Sequence, residues 1–293
     1  MNQLGASTWI WTSPFTDAGL GIVGHAKELG FDVLELAIED TRNVSAEAVR
    51  EAGERAGVAF SVCGAFGPDR DLSHEHPAVR RAGIEYVKVC VDLAAGIGAP
   101  NFVGPMYSAV GKARMLEPEE REQQRRWAVE SIKEVAEHAA ERGVRLAVEP
   151  LNRFETDLVN TAEQALELCD RVGFENVGVL LDTFHMNIDE KSLGAAIELV
   201  GDRLFHVHTC ENDRGTPGTG HVDWGEVFAA LRAIGYDGQL VIESFTPAVR
   251  DIAKAVSLWR PLDAPSDELA RSGARFLREA FEADRSLLLE AGA

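Results

Sequence analysis

Arg145-Leu146-Ala147-Val148-Glu149 and Val177-Gly178-Val179-Leu180-Leu181-Asp182 are short apolar runs that each end on an acid, with a helix-like stretch, Thr161–Val172, between them. The pattern returns downstream. Leu204-Phe205-His206-Val207-His208 and Gln239-Leu240-Val241-Ile242-Glu243 are again apolar with a polar end, separated by the helix-like Trp224–Ile234. Short apolar runs that alternate with longer amphipathic segments are the pattern of consecutive βα units.

Reading outward from this region extends the pattern over almost the whole chain. Candidate strands are Ala6–Trp11, Val33–Ile38, Ala59–Gly64, Asn101–Pro105, Arg145–Leu151, Val177–Asp182, Leu204–Thr209 and Gln239–Ser244. Between them lie helix-like segments such as Ala18–Leu29, Ser45–Ala56, Pro77–Ala95, Pro118–Arg142 and Ser192–Leu199. Gly30, Gly57, Gly143, Gly173 and Gly235 follow helices, where tolerance of the left-handed conformation is useful, and Thr161 and Asp223 stand at N-cap positions. A repeat of about 30 to 40 residues without successive hairpins fits an α/β fold of the eight-stranded parallel type, a (β/α)8 TIM barrel, better than a sandwich. Periodicity alone also admits a doubly wound sheet.

The 293 residues fit a single barrel domain spanning 1–293. From about residue 260 the reading is a C-terminal helical extension: Asp251–Trp259 looks helical, Arg260–Ser266 breaks it, and Asp267–Ala291 forms a final helix. About 25 residues cannot enclose their own core, so this is expected to be a packing or oligomer element.

A net charge of −19, without a basic stripe interleaved with aromatics, disfavours nucleic acid as a partner. Cys63, Cys90, Cys169 and Cys210 lie far apart with no Cys-x-x-Cys pair, and are read as reduced thiols. The N-terminal residues lack a basic-then-apolar targeting pattern, and no stretch approaches the roughly 18 to 20 apolar residues of a membrane span. A cytoplasmic location and no membrane partner are expected.

In a parallel barrel, side chains at the C-terminal strand ends converge on one mouth. Glu149, Asp182, His208 and Glu243 end four different strands there, and together they form an oxygen-rich donor set for one divalent ion such as Mn2+, with Co2+ or Mg2+ as alternatives. An isolated acid at a strand end is as often a helix cap or loop-ordering group; four in one half of a barrel weigh against that reading. Asn152, Glu155, Asn160, His185, Asn187 and Arg214 follow the same strands and could bind hydroxyls, while Trp9, Trp11, Tyr107 and Phe245 could offer aromatic faces to a sugar. Ordinary core packing competes with this role for Trp9, Trp11 and Tyr107. His206 is expected to face away from His208 as a satisfied core histidine.

The segments Val148-Glu149-Pro150-Leu151-Asn152-Arg153-Phe154-Glu155-Thr156, Leu181-Asp182-Thr183-Phe184-His185-Met186-Asn187, His206-Val207-His208 and Val241-Ile242-Glu243-Ser244-Phe245 resemble the D-tagatose 3-epimerase family, which includes the D-psicose (D-allulose) and L-ribulose 3-epimerases. That family lies within the xylose-isomerase-like barrel superfamily, and the likeness covers nearly the whole chain in order. The resemblance implies Mn2+ or a similar ion on Glu149, Asp182, His208 and Glu243. It also implies sugar contacts from His185, Arg214, Glu155 and Phe245. A homodimer or homotetramer is implied as well. Around Cys63-Gly64-Ala65-Phe66 and Met106-Tyr107-Ser108 the likeness thins, which leaves the preferred ketose open.

The reaction so implied interconverts C3 epimers of free ketoses (D-fructose and D-psicose, D-tagatose and D-sorbose, or L-ribulose and L-xylulose) through a planar enediolate. Glu149 and Glu243 would serve as the catalytic base and acid on its two faces. An aldose–ketose isomerase of the hydroxypyruvate-isomerase type uses the same chemistry between adjacent carbons and is the nearest rival. An apurinic endonuclease of the same superfamily would need a histidine-rich trinuclear zinc site and a basic surface, which 8 scattered histidines and the acidic charge argue against. A non-catalytic sugar-binding barrel would have no need of both glutamates.

Overall fold

Eight strands, β1 (Gln3–Ser7), β2 (Val33–Ile38), β3 (Ala59–Gly64), β4 (Asn101–Gly104), β5 (Arg145–Val148), β6 (Val177–Asp182), β7 (Leu204–His208) and β8 (Gln239–Ile242), pair in sequence order. All pairings are parallel, and β8 closes on β1 from Gln3 opposite Gln239 to Ala6 opposite Ile242. Closure excludes the doubly wound alternative. The computed structural model describes residues 2–261 and 264–291; Met1, Leu262, Asp263, Gly292 and Ala293, which fall within the expected 1–293 span and its C-terminal extension, lie outside the described residues.

Between the strands run α1 (Gly21–Glu28), α2 (Ala46–Ala56), α3 (Pro77–Gly96), α4 (Pro118–Glu141), α5 (Ala162–Val172), α6 (Thr183–Asp189), α7 (Leu193–Val200) and α8 (Trp224–Ala233); α9 (Arg250–Ala255) and α10 (Ser266–Ala291) follow β8. Their ends follow local chemistry. Thr161 accepts a hydrogen bond from the Gln164 amide and Asp223 one from the Glu226 amide, so both expected N-caps are present. Gly57 (φ 65°) and Gly173 (φ 75°) close α2 and α5 in the left-handed conformation.

The period-two alternation of each strand divides the apolar residues into two cores. On β2, Leu34, Leu36 and Ile38 pack outward into the large core shared with the helices, while Ala37 points inward with Cys63, Val103, Ala147 and Leu180. Burying a side chain such as Leu36 contributes about 1.5–3 kcal/mol. The inner face carries small residues and a few polar ones because eight strands leave room for little else.

β1 departs from expectation: the strand ends at Ser7 and a 3-10 turn, Thr8–Ile10, replaces the continuation to Trp11. The Ser7 hydroxyl accepts the Trp9 amide at 3.4 Å, and the Thr8 hydroxyl accepts the Ala37 amide at 3.0 Å, so side chains take over the ladder's partners. α6 was also absent from the sequence reading, because it begins on the residue after β6 with no linker. Among the described residues, no helix is long and apolar enough to cross a membrane.

Candidate active site

Glu149, Asp182, His208 and Glu243 come together at the C-terminal mouth of the barrel, each offering one ligand atom within 4.8 Å of the others. The ladder places Asp182 level with His208, across a register shift between Val179 and Leu180, and His208 level with Val241. His208 Nδ1 stands 3.7 Å from Asp182 Oδ2, 3.7 Å from Glu243 Oε2 and 3.9 Å from Glu149 Oε1. That nitrogen is buried and has no hydrogen-bond partner. A buried ring nitrogen left without a partner among three carboxylates fits a divalent ion held by three oxygens and one imidazole.

Asp182 has two roles, one for each oxygen. Its Oδ1 accepts the Phe184 amide at 2.8 Å and caps α6, while Oδ2 faces the site. The capping and ligand readings of this acid are therefore compatible.

Arg214 enters from the loop after β7, held at φ 66°, an unusual conformation for a residue with a side chain, and its carbonyl accepts the Ser244 hydroxyl. The guanidinium Nη1 contacts Asp182 Oδ2 at 2.6 Å and Glu243 Oε2 at 3.0 Å, and its plane packs 4.1 Å from the Phe184 ring centroid. His185 projects from α6; its Nδ1 accepts the Asn152 amide at 3.1 Å, and its Nε2 stands 3.1 Å from Arg214 Nη2 and 3.6 Å from Glu149 Oε1. Glu155 accepts the Asn152 side-chain amide at 2.8 Å.

The charges work against one another. Burial, with Glu243 and Asp182 close by, pushes Glu149 well above the usual carboxylate range, and burial pushes Glu243 up to about 6. Asp182 is lowered despite its burial, because Arg214 and His208 favour its charge. Burial lowers His185 to about 4, so it is neutral above that pH, whereas Glu35 and Glu243 overcome burial and raise His208. Without an ion the site thus holds protons that metal binding would displace.

A cavity of about 510 Å3 opens above these residues and is lined by Glu149, Glu243, His185, Arg214, Glu155 and Phe245, together with Trp9, Cys63 and Phe66. Glu149 and Glu243 face this space, while Asp182 and His208 lie beneath it. A larger groove of about 820 Å3, beside Lys112 and Trp127, adjoins this cavity at Pro68, Val110 and Gly111 and contains none of the converging acids.

Two candidate sugar contacts are placed elsewhere. Trp11 is outside the cavity lining, with its indole N–H donating to Asp267 at 2.8 Å and its ring edge-on to His25. Tyr107 is fully buried, with its hydroxyl donating to the Val159 carbonyl at 3.0 Å. Both are packing residues in this structure. Trp9 does line the cavity, tilted against Phe245 at 5.7 Å between centroids, with its N–H anchored on Glu39 at 2.8 Å. Asn160 orders its loop by donating to the Leu151 and Thr156 carbonyls.

His206 corrects another expectation. Residues two apart on a strand share a face, and both His206 and His208 point into the barrel, their rings 5.3 Å apart. Between them and β2 lies Glu35, which the sequence reading passed over. An acid in the middle of Leu34-Glu35-Leu36-Ala37 was the available signal, since a buried carboxylate requires partners.

The comparisons agree with this geometry. Residues 23–280 match the model of the xylose isomerase-like TIM barrel family. The chain is 34% identical over 290 residues to a ketose 3-epimerase of Arthrobacter globiformis, covering 98% of this chain and 99% of the relative. It is also 34% identical over 261 residues to a D-psicose 3-epimerase of Agrobacterium fabrum, covering 86% of this chain and 89% of that protein. The crystal structure of a D-allulose 3-epimerase from Methylomonas sp. in complex with D-allulose superposes with a TM-score of 0.90 at 28% identity, covering 95% of this chain and 97% of that one. With the closed barrel, the strand-end acids and these full-length matches together, the chain belongs to the xylose isomerase-like TIM barrel family and, within it, to the ketose 3-epimerases, enzymes of the isomerase class.

Proposed function

We propose that this enzyme is a divalent-metal-dependent ketose 3-epimerase acting on a free ketose, with Glu149 and Glu243 as its two proton-transfer groups. The observation that carries the reading is that these two carboxylates face one cavity while both border the same unpartnered His208 nitrogen. The activities of the ketose 3-epimerase and the D-psicose 3-epimerase it resembles support it.

Glu149, Asp182, His208 and Glu243 would hold the ion, with Mn2+ the preferred candidate and Co2+ or Mg2+ as alternatives. When bound, it supplies Lewis acidity that makes the proton beside the ketose carbonyl easier to remove. One glutamate takes the C3 proton from one face of the sugar, and the other returns a proton to the opposite face, with the roles set by the configuration of the substrate. The upward displacement of both acids by burial suits groups that must accept a proton near neutral pH. His185 through Nε2 and Arg214 through its guanidinium hold the oxygens of the carbonyl end, Glu155 accepts from a more distant hydroxyl, and Phe245 with Trp9 covers the C–H face. The preferred pair is among D-fructose and D-psicose, D-tagatose and D-sorbose, or L-ribulose and L-xylulose. A single catalytic domain, assembled as a homodimer or homotetramer and located in the cytoplasm, completes the proposal.

Turnover in D2O tests the reaction class. A C3 epimerase places deuterium at C3 of the product, and label confined to C1 or C2 would instead assign aldose–ketose isomerisation.

A further inference from the structure

Beneath the cavity, Glu35 is completely buried and has three neighbours. His208 Nε2 lies 2.9 Å from Oε1, the Ser61 hydroxyl donates to Oε2 at 2.9 Å, and His206 Nε2 stands 2.9 Å from the same oxygen.

The Ser61 hydroxyl already donates to Glu35, and His208 meets it through Nε2 while its Nδ1 has no partner. The pairing sets the donor nitrogen of His208 on the Glu35 side and leaves Nδ1 for an ion held among the carboxylates on the opposite edge. Glu35 stands on β2 and His208 on β7, so this bond crosses the barrel interior rather than following the sheet ladder. We infer that Glu35 is the positioning residue of the metal centre, fixing the rotation and tautomer of His208 from below while the Ser61 hydroxyl holds Glu35. The inference rests on the metal reading of the site and deepens it.

An alternative use of the same atoms would be as ligands of a second ion, since Glu35, His206 and His208 are mutually close, as are Glu35, Cys63 and Glu243. The hydrogen bonds from His208 and Ser61 already occupy the Glu35 oxygens. Cys63, pushed up by burial and by the nearby acids, is a neutral thiol and a poor ligand. A positioning role uses the hydrogen bonds as they stand.

The test is calorimetric titration of chelator-treated, full-length protein with Mn2+. One ion per chain, with affinity about 10–100-fold weaker in Glu35→Gln, is expected for the loss of a carboxylate behind a ligating imidazole. Equal affinity in Glu35→Gln overturns the assignment while the metal reading stands. Two ions per chain in the wild type, with one lost in the variant, make Glu35 a ligand and overturn it as well. Wild type that takes up no ion overturns the metal reading and this inference together. Should Glu35→Gln fail to fold, 15N-histidine NMR of the wild type loaded with diamagnetic Zn2+ decides: a proton on His208 Nε2 supports the inference, and one on Nδ1 overturns it.

Discussion

Arg214 Nη1 stands 2.6 Å from Asp182 Oδ2, on the oxygen that Asp182 would also offer to an ion. The guanidinium balances part of the negative charge of the site and is, by the same contact, a competitor for it.

Arg214→Met should therefore lower the melting temperature of the metal-free protein, by ~2–4 °C for each kcal/mol lost in a domain of this size, because Asp182 and Glu243 lose their buried counter-charge. The rise in melting temperature on adding Mn2+ should exceed that of the wild type, and KM for the ketose should increase. An unchanged Mn2+ effect would mean that arginine and ion do not share Asp182.

Glu149→Gln and Glu243→Gln should each reduce kcat by at least about 10²–10⁴-fold, the usual worth of a proton-transfer group. Circular dichroism should report an intact fold, because both side chains face the cavity rather than the core. Near-normal turnover in either variant defeats the two-base scheme.

The metal effect should depend on pH in a definite direction. Unfolded glutamate titrates near about 4.3, while folded Glu243 is raised to about 6 and burial raises Glu149 as well. These two groups bind extra protons in the metal-free fold, so their contribution to its stability is fully present below the window and is lost as pH rises through it. The ion requires those protons, and the one on His208, to leave. Melting curves should show a small Mn2+-induced rise at pH 5 that grows toward pH 7.5; a rise independent of pH would remove these acids from the ligand set.

Gly178→Ala should destabilise the barrel by about 1–3 kcal/mol, the usual cost of overpacking. A Cβ there would lie 2.4 Å from the Arg203 carbonyl oxygen and 2.6 Å from the Phe205 ring. Gly24→Ala, in exposed α1 with nothing within 4 Å, should instead stabilise by about 0.5–1 kcal/mol. Urea unfolding of the two variants should move in opposite directions.

Three of the strands, Val33–Ile38, Ala59–Gly64 and Val177–Asp182, have the same ends in the sequence reading and in the structure. Each is a continuous run bounded by turn residues or a charge, so its ends are marked locally. The end of β1 is set by Thr8 capturing an amide on β2, a contact between distant parts of the chain that local pattern does not register. The four strand-end residues could be read in advance because parallel strands deliver their last side chains to one mouth. Which aromatics reach that mouth depends on tertiary packing: Trp9 does, while Trp11, two residues on, is drawn to Asp267 of the C-terminal helix. Glu35 was missed because its role becomes visible only when β2 and β7 face each other across the closed barrel.

The most direct measurement strips the protein with chelator, restores Mn2+, and analyses by chromatography the products formed from D-fructose, D-psicose, D-tagatose and L-ribulose. The account predicts no turnover in the stripped protein and a C3 epimer of at least one ketose once the ion returns. Products of C1–C2 isomerisation, or epimerisation undiminished by metal removal, would contradict it.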